Sequence, residues 1–349
     1  IYVQEKINAL SWLHDETMLA VAQKEKVFVY DINGIELHKI KYLHETVHLE
    51  FLPHHFLLVS ARKKGSLSYF DTSMGVLISD IKTCLGKAVD MCQNSQNGII
   101  ALAHTNGNTT MWSPKQEKPI VKMLCHASPL SSLSIDFSGN YMATGDMTRY
   151  IKIWDMRTYK LINEFRVHNN AINMCFSQTG LLAFSMGNRV EIYNNVFQKP
   201  EKYLRQDIVG NNRVTDLKFC PFEDVLGIGH ENGFLNMIIP GSGEPNIDSL
   251  NPNPYQTKDQ RKEYGVRKLL EKIQPEMITL DVEALTKMGK PEKSELEIRQ
   301  EIMFKRLMPK NPKYKNSKNV NRAVKQVNEQ LNREKKRLKL IEKYKMKNN

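Results

Sequence analysis

His54-His55, beside Pro53, and Gly229-His230-Glu231 are stretches in which imidazoles stand next to groups that could take part in proton transfer or metal binding. Acid–base catalysis also needs a nucleophile or an orienting partner at recognisable spacing, and a metal site needs a third ligand. Neither stretch provides one. The first is expected to be a solvent-facing turn, and the second a turn from one blade-like repeat to the next. Gly241-Ser242-Gly243 has the flexibility of a phosphate cradle, but no Lys-Ser/Thr follows it and no helix starts there, so it too reads as a turn. The five cysteines, Cys84, Cys92, Cys125, Cys175 and Cys220, show no C-x-x-C spacing and read as buried reduced thiols of a cytosolic or nuclear protein. No catalytic residue, metal site or cofactor is expected, and the chain reads as non-enzymatic.

The chemistry announced by the sequence is electrostatic. Residues 1–250 hold 24 Lys/Arg against 25 Asp/Glu, residues 251–301 hold 10 of each, and residues 302–349 hold 16 against 3. The excess behind the net charge of +12 therefore lies in the last 48 residues. There Lys305, Arg306, Lys310, Lys313, Lys315, Lys318, Arg322 and Lys325 lead into the denser group Arg333, Lys335, Lys336, Arg337 and Lys339. Such a block binds a polyanion or stays solvated. Three uses stay open for Arg333–Lys339: contact with an RNA backbone, a nuclear localisation patch, or a solvated face. The tail's only aromatic residues are Phe304, Tyr314 and Tyr344, so contacts with backbone and shape are favoured over stacked bases.

The elements that must position these residues repeat. Short β-rich runs end in an aromatic residue at Tyr30, Phe70, Trp112, Trp154 and Tyr193, with steps of 40, 42, 42 and 39, and a weaker sixth, Phe234–Met237, follows. A period of about 40–45 residues with four short strands per unit predicts a propeller of small antiparallel sheets. In the fourth unit the strands fall at Leu133–Ile135, Tyr141–Thr144, Tyr150–Trp154 and Leu161–Val167. Ile1-Tyr2-Val3-Gln4-Glu5 reads as the outer strand of a blade whose other strands lie upstream, so the sequence is expected to start inside a longer native chain. A seven-bladed ring with six blades visible is the first expectation, and a six-bladed ring closed by Ile1–Glu5 is the alternative. No stretch reaches the roughly 18–20 apolar residues of a membrane span.

His126, Thr144 and Trp154 resemble the His, Ser/Thr and Trp of the WD-repeat family, which join an Asp in a buried hydrogen-bond network. Here the usual Asp position holds Thr148, with Asp146 two residues earlier, and in other blades Lys24, Lys64, Asn106 and Glu231 stand there. The propeller is assigned to residues 1–246. A helical extension at 247–349, basic from about 302, follows the turn-rich Pro240–Pro245 and Asn251–Pro254. Helical spacing places Tyr264, Leu269, Leu270 and Ile273 on one flank before Pro275. Further helices are expected near 281–285, 294–308 and 319–345, the last with a near-heptad seam of Val320, Val324, Val327, Leu331, Leu338 and Ile341.

Between Val214 and Leu285, Phe219-Cys220-Pro221-Phe222-Glu223-Asp224, Gly229-His230-Glu231-Asn232-Gly233-Phe234, Ile239–Asn246 and Met277-Ile278-Thr279-Leu280-Asp281 closely resemble the C-terminal domain that defines the WD repeat-containing protein 46 / U3 small nucleolar RNA-associated protein 7 family. Leu49-Glu50-Phe51-Leu52-Pro53, Met91-Cys92-Gln93-Asn94 and Trp112-Ser113-Pro114 extend the likeness over roughly residues 1–285. The resemblance implies a nucleolar scaffold of the small-subunit processome. Its implied partners are pre-ribosomal RNA, U3 small nucleolar RNA and other processome proteins, with no membrane and no small-molecule substrate. A cytoplasmic WD-repeat adaptor, such as a ubiquitin-ligase substrate receptor, is the alternative; it would have no use for so basic a tail.

Overall fold

The apolar runs that precede each aromatic step form strands because both faces of their sheets are covered. In the computed structural model the middle strands of the blades, such as Leu57–Arg62, Ile100–His104 and Leu182–Met186, are almost wholly buried, whereas the outer strands alternate between exposed and half-buried positions. The structure describes residues 3, 5–13, 17–245 and 257–280, except the side chain of Asn211, and beyond them only positions 325, 329, 330, 332, 333 and 336. The chain divides into two units, residues 1–285 and 286–349.

Within the first unit six antiparallel sheets follow one another as simple meanders. Blade 1 holds β1 (Ala9–Trp12), β2 (Met18–Ala22), β3 (Lys26–Asp31) and β4 (Glu36–His44). Blade 2 holds β5 (Thr46–Leu52), β6 (Leu57–Arg62), β7 (Ser66–Asp71) and β8 (Val76–Lys82). Blade 3 holds β9 (Ala88–Gln93), β10 (Ile100–His104), β11 (Asn108–Trp112) and β12 (Val121–Leu124). Blade 4 holds β13 (Leu130–Ile135), β14 (Tyr141–Asp146), β15 (Tyr150–Asp155) and β16 (Lys160–Arg166). Blade 5 holds β17 (Met174–Phe176), β18 (Leu182–Met186), β19 (Arg189–Asn194) and β20 (Glu201–Asp207). Blade 6 has three described strands, β21 (Val214–Phe219), β22 (Val225–His230) and β23 (Gly233–Ile238). The core lies between blades. Leu49, Phe51 and Leu58 of blade 2 meet Ala20, Val27 and Val29 of blade 1, and the same stacking recurs from blade 2 to blade 6.

A four-strand meander has two ends. The first-to-second and third-to-fourth connections lie at one, here the hairpin end; the second-to-third turn and the link to the next blade lie at the other, the link end. Backbone bonds lace the link end across blades: Glu45 N donates to Glu25 O (3.0 Å), Lys63 N to Glu45 O (3.0 Å) and Thr83 N to Gly65 O (3.0 Å). Gly65 has φ +79°, and a Cβ there would lie 2.3 Å from Gly86 O, so this crossing requires glycine. Gly229-His230-Glu231 departs from the sequence expectation. His230 ends β22 and Glu231 turns into β23, so the stretch lies within a blade, because β22 and β23 pair in register from Val225↔Ile238 to His230↔Gly233.

After blade 6, the one described helix of the first unit's extension is α1 (Lys258–Leu270). Thr257 and Gln260 cap it reciprocally, Asp259 sits in its first turn, and Arg267 and Lys268 in its last. A short 3₁₀ turn, Pro275–Met277, follows. In the second unit the described positions Lys325, Glu329, Gln330, Asn332, Arg333 and Lys336 are helical and exposed.

Candidate interaction surfaces

Blade 4 carries a complete buried relay. His126 Nδ1 lies 3.3 Å from Asp146 Oδ2, His126 Nε2 lies 2.9 Å from Thr144 Oγ1, and Trp154 Nε1 donates to Thr144 Oγ1 at 3.0 Å. Burial holds the His126 pKa below the ordinary histidine value against the pull of Asp146, so the ring is neutral. That polarity fits an Nδ1–H donor facing Asp146 and a Thr144 hydroxyl donating to Nε2. Asp146 was absent from the expected network because it lies two residues before the motif position. It reaches inward because its own turn holds it: Thr148 N (3.0 Å) and Tyr150 N (2.8 Å) donate to Oδ1, and Ser128 Oγ donates to Oδ2 at 2.6 Å. Burial pushes its pKa up, but these bonds outweigh it and hold the carboxyl below its usual range.

Blade 3 has a relay that the motif does not reveal. Thr110 Oγ1 lies 2.7 Å from His104 Nε2 and accepts from Trp112 Nε1 at 2.8 Å. Burial lowers the pKa of His104 to about 4, so it too is neutral. Lys24, Lys64, Asn106 and Glu231 are exposed at the link end, outside any such relay.

At blades 5 and 6 and at blades 2 and 3 the hairpin end is covered by the chain itself. Just after β23, Gly241 N and Gly243 N donate to the Asp224 carboxylate at 3.1 and 2.8 Å, while Thr179 Oγ1 donates to Gly241 O at 2.8 Å. The Gly241 and Gly243 amides are thus spent on Asp224 and that of Ser242 on Ile239 O (3.2 Å), leaving no cradle for a phosphate. Farther on, residues 272–278 strap blades 2 and 3. Lys272 Nζ pairs with Asp71 and donates to Ser73 Oγ (2.8 Å), Ile273 N donates to His54 O (3.0 Å), and Ser113 Oγ donates to Ile278 O (3.0 Å). His55 Nδ1 lies 3.2 Å from Ile273 O, so one of the two histidines read as a solvent-facing turn is in fact buried beneath the strap. Ile278 is 2% exposed and joins the core with Leu52, Leu57 and Ile99. Every one of these anchors lies at the hairpin end. The Met277–Leu280 apolar run could have signalled burial, but nothing in the sequence named His55, Asp71 or Ser113 as its receptors.

On the first strands of their blades, Glu50 on β5, Asp90 on β9 and Asp216 with Lys218 on β21 feel one another's charge. Burial raises the Glu50 pKa to about 7, opposed by Lys218 and assisted by Asp90 and Asp216. Burial likewise raises Asp90 to about 6, although Leu133 N and Met91 N donate to it, each at 2.8 Å. Among the described residues no group of three or more His, Cys, Asp or Glu could hold a metal ion. The cysteines are free. Against the expectation that all five are buried, only Cys125 is; Cys92, Cys175 and Cys220 are half-buried, and Cys84, in the link from β8 to β9, is exposed.

Of the basic tail, Lys325, Arg333 and Lys336 are described, helical and exposed. Lys305, Arg306, Lys310, Lys313, Lys315, Lys318, Arg322, Lys335, Arg337 and Lys339 lie outside the described residues, as do the apolar seam and the helices expected near 281–285 and 294–308.

Stacked four-strand blades with a His–Thr–Trp relay define a WD-repeat propeller protein, and residues 117–155 match the WD domain, G-beta repeat. The same fold is shared with a chain of the crystal structure of the Mitotic Checkpoint Complex, at a TM-score of 0.58 and 16% identity over 69% of this chain and 79% of that one. Residues 202–281, which include β21–β23 and the strap, match the BING4CT (NUC141) domain. The chain is 43% identical over 289 residues to WD repeat-containing protein 46 of Caenorhabditis elegans, covering 82% of this chain and 50% of that protein. It is 40% identical over 308 residues to U3 small nucleolar RNA-associated protein 7 of Saccharomyces cerevisiae, covering 83% and 55%. The chain belongs to this WD repeat-containing protein 46 / U3 small nucleolar RNA-associated protein 7 family. It spans about half the length of the curated relatives it matches.

Proposed function

We propose that this chain is a non-enzymatic scaffold of the nucleolar small-subunit processome, supporting pre-ribosomal RNA processing and small-subunit assembly. Kinship with relatives named for association with U3 small nucleolar RNA supports the assignment. The observation that carries the division of labour is the charge partition: residues 1–301 are near neutral, and residues 302–349 hold 16 Lys/Arg against 3 Asp/Glu. The propeller docks processome proteins, its hairpin end being taken by its own strap and its link end left for them. The tail holds pre-ribosomal RNA, U3 small nucleolar RNA or both through phosphate charge.

If about six tail cations meet phosphates, the log–log dependence of RNA affinity on salt has a slope of about −4, at roughly 0.7 per contact with single strands. Replacing Lys335, Lys336, Arg337 and Lys339 by Gln in the full chain makes that slope shallower by up to about 3 and weakens different RNA sequences alike. Titration of wild type and the fourfold variant against salt checks this. An unchanged slope and affinity would assign the cluster to nuclear import or to solvent.

A further inference from the structure

The near neutrality of the propeller conceals an uneven surface. The link-end segments 23–26, 44–46, 62–66 and 82–88 hold seven Lys/Arg against two Asp/Glu, within residues 1–250 that hold 24 against 25. Backbone lacing fixes these segments side by side: Glu45 bonds to Glu25, Lys63 to Glu45 and Thr83 to Gly65, and Gly65 abuts Gly86 O. Lys24, Lys63, Lys64, Lys82 and Lys87 are exposed on this crest. Arg62 is taken by Asp80 and Tyr42 O, at 3.3 and 2.9 Å. The Lys64–Glu45 pair, at 3.8 Å with side chains 85% and 48% exposed, is solvated, and an incoming anion displaces it at little cost.

Within the crest, the link from β8 to β9 carries backbone donors with nothing to bond. Among the described residues none accepts from the amides of Cys84, Gly86 and Lys87, and Leu85 N reaches only Thr83 Oγ1, at 3.5 Å. Cys84 and Gly86 sit at φ 56° and 81°, with Leu85 between them outside the positive-φ region. Alternating handedness of this kind turns successive N–H groups toward one side and makes an anion-binding nest. Space beside it is open, since a Cβ added at Gly86 would meet nothing within 4 Å. Gly241-Ser242-Gly243 is the reverse case: Asp224 and Ile239 already use its amides.

We propose that the link Thr83–Lys87, with Lys63, Lys64 and Lys82 around it, is a phosphate site on the propeller, and that the phosphate belongs to an RNA backbone. The inference rests on the reading of this chain as one that holds RNA, and it adds a folded grip to that of the basic tail. Two features favour RNA over an acidic protein segment. Protein interfaces are depleted in Lys and anchored by aromatic or apolar side chains. Here every exposed cation is a Lys, and no large apolar residue of these segments is exposed. The cations also come from successive turns, of blade 1, of blade 2 and of the link to blade 3, so they meet successive phosphates of one strand rather than a single acidic group. Proteins keep the remainder of the link end, where Met147 and Val209 are 55% and 88% exposed.

The test measures the salt dependence of affinity for a mixed-sequence single-stranded RNA in full chains. Replacing Lys63, Lys64, Lys82 and Lys87 by Gln is expected to make the log–log slope shallower by about 2, for about three phosphate contacts at roughly 0.7 each. The same loss is expected when the tail already carries Lys335→Gln, Lys336→Gln, Arg337→Gln and Lys339→Gln. Hydrogen exchange at the Cys84, Gly86 and Lys87 amides should slow when RNA is added to the wild type. A control variant loses four exposed hairpin-end cations, Lys115, Lys118, Arg157 and Lys160, and should keep its slope. An equal effect in that control would overturn the site in favour of bulk charge. A slope changed by the tail variant alone would overturn this proposal and leave the tail's role intact, whereas a slope changed by the link variant alone would uphold the site and remove the tail's. Unchanged RNA binding with lost binding of polyglutamate would give the crest to an acidic protein segment and overturn the RNA assignment.

Discussion

Thr110 and Thr144 each hold a histidine and a tryptophan together through one hydroxyl. Removing that hydroxyl leaves a buried indole N–H and a ring nitrogen without partners, so Thr110→Val and Thr144→Val each cost about 1–3 kcal/mol in urea unfolding. The buried titratable groups give the propeller two opposed pH windows. The pKa of His104 is lowered to about 4 by burial, so its contribution is present above the unfolded value near 6.5 and lost as pH falls toward 4. Glu50 is raised to about 7, so its contribution is present below the unfolded carboxylate value and lost as pH rises through 7. In Glu50→Gln the fall in stability between about pH 4.5 and 7 is expected to flatten, measured as the urea midpoint across that range. His126, Thr144 and Trp154 were legible because their spacing is a motif. Asp146 was not, because a side chain that reaches back through its own turn works from the wrong number in the sequence. Thr110 and His104 were hidden for a related reason: their relay runs between adjacent strands of one blade and follows no motif.

The strands were legible because a period of about 40 residues survives local substitution, and the aromatic at each of the first five steps is buried or half-buried. The strap was legible only as breakers and a short apolar run. Its place depends on partners some 200 residues away, and local pattern carries no information about those. Ile278→Ala is expected to cost about 2–5 kcal/mol, as for other buried Ile to Ala changes. Gly98 sits under the same strap at φ +69°, where a Cβ would lie 2.9 Å from His55 Nε2 and 3.6 Å from Ile278 Cγ1. Gly98→Ala therefore combines a left-handed backbone penalty of roughly 1–2 kcal/mol with displacement of His55. Hydrogen exchange checks both: protection of the Ile273 amide, which bonds to His54, falls in each variant while β18 and β19 keep theirs.

At the scale of the molecule, the strap ties the family-defining segment to blades 2 and 3, so the propeller and this part of the extension form one folded body. A chain ending at residue 285 is expected to melt in one cooperative step. A chain ending at 245 is expected to melt lower, by about 2–4 °C for each kcal/mol that the strap contributes to stability. Differential scanning calorimetry of the two separates these outcomes, and equal midpoints would reduce the strap to a surface ornament. The strap also imposes a timetable. His55 and its partner Ile273 are 218 residues apart. At a synthesis rate of about 5–20 residues per second, His55 leaves the ribosome roughly 10–40 s before the residue that will cover it. For that interval the hairpin end of blades 2 and 3 is an uncovered surface on a nascent chain, open to any early-acting chaperone or assembly factor. Ribosome-bound chains arrested before and after the strap emerges should therefore differ in acylation of His55 by diethyl pyrocarbonate, with His54 as the internal control.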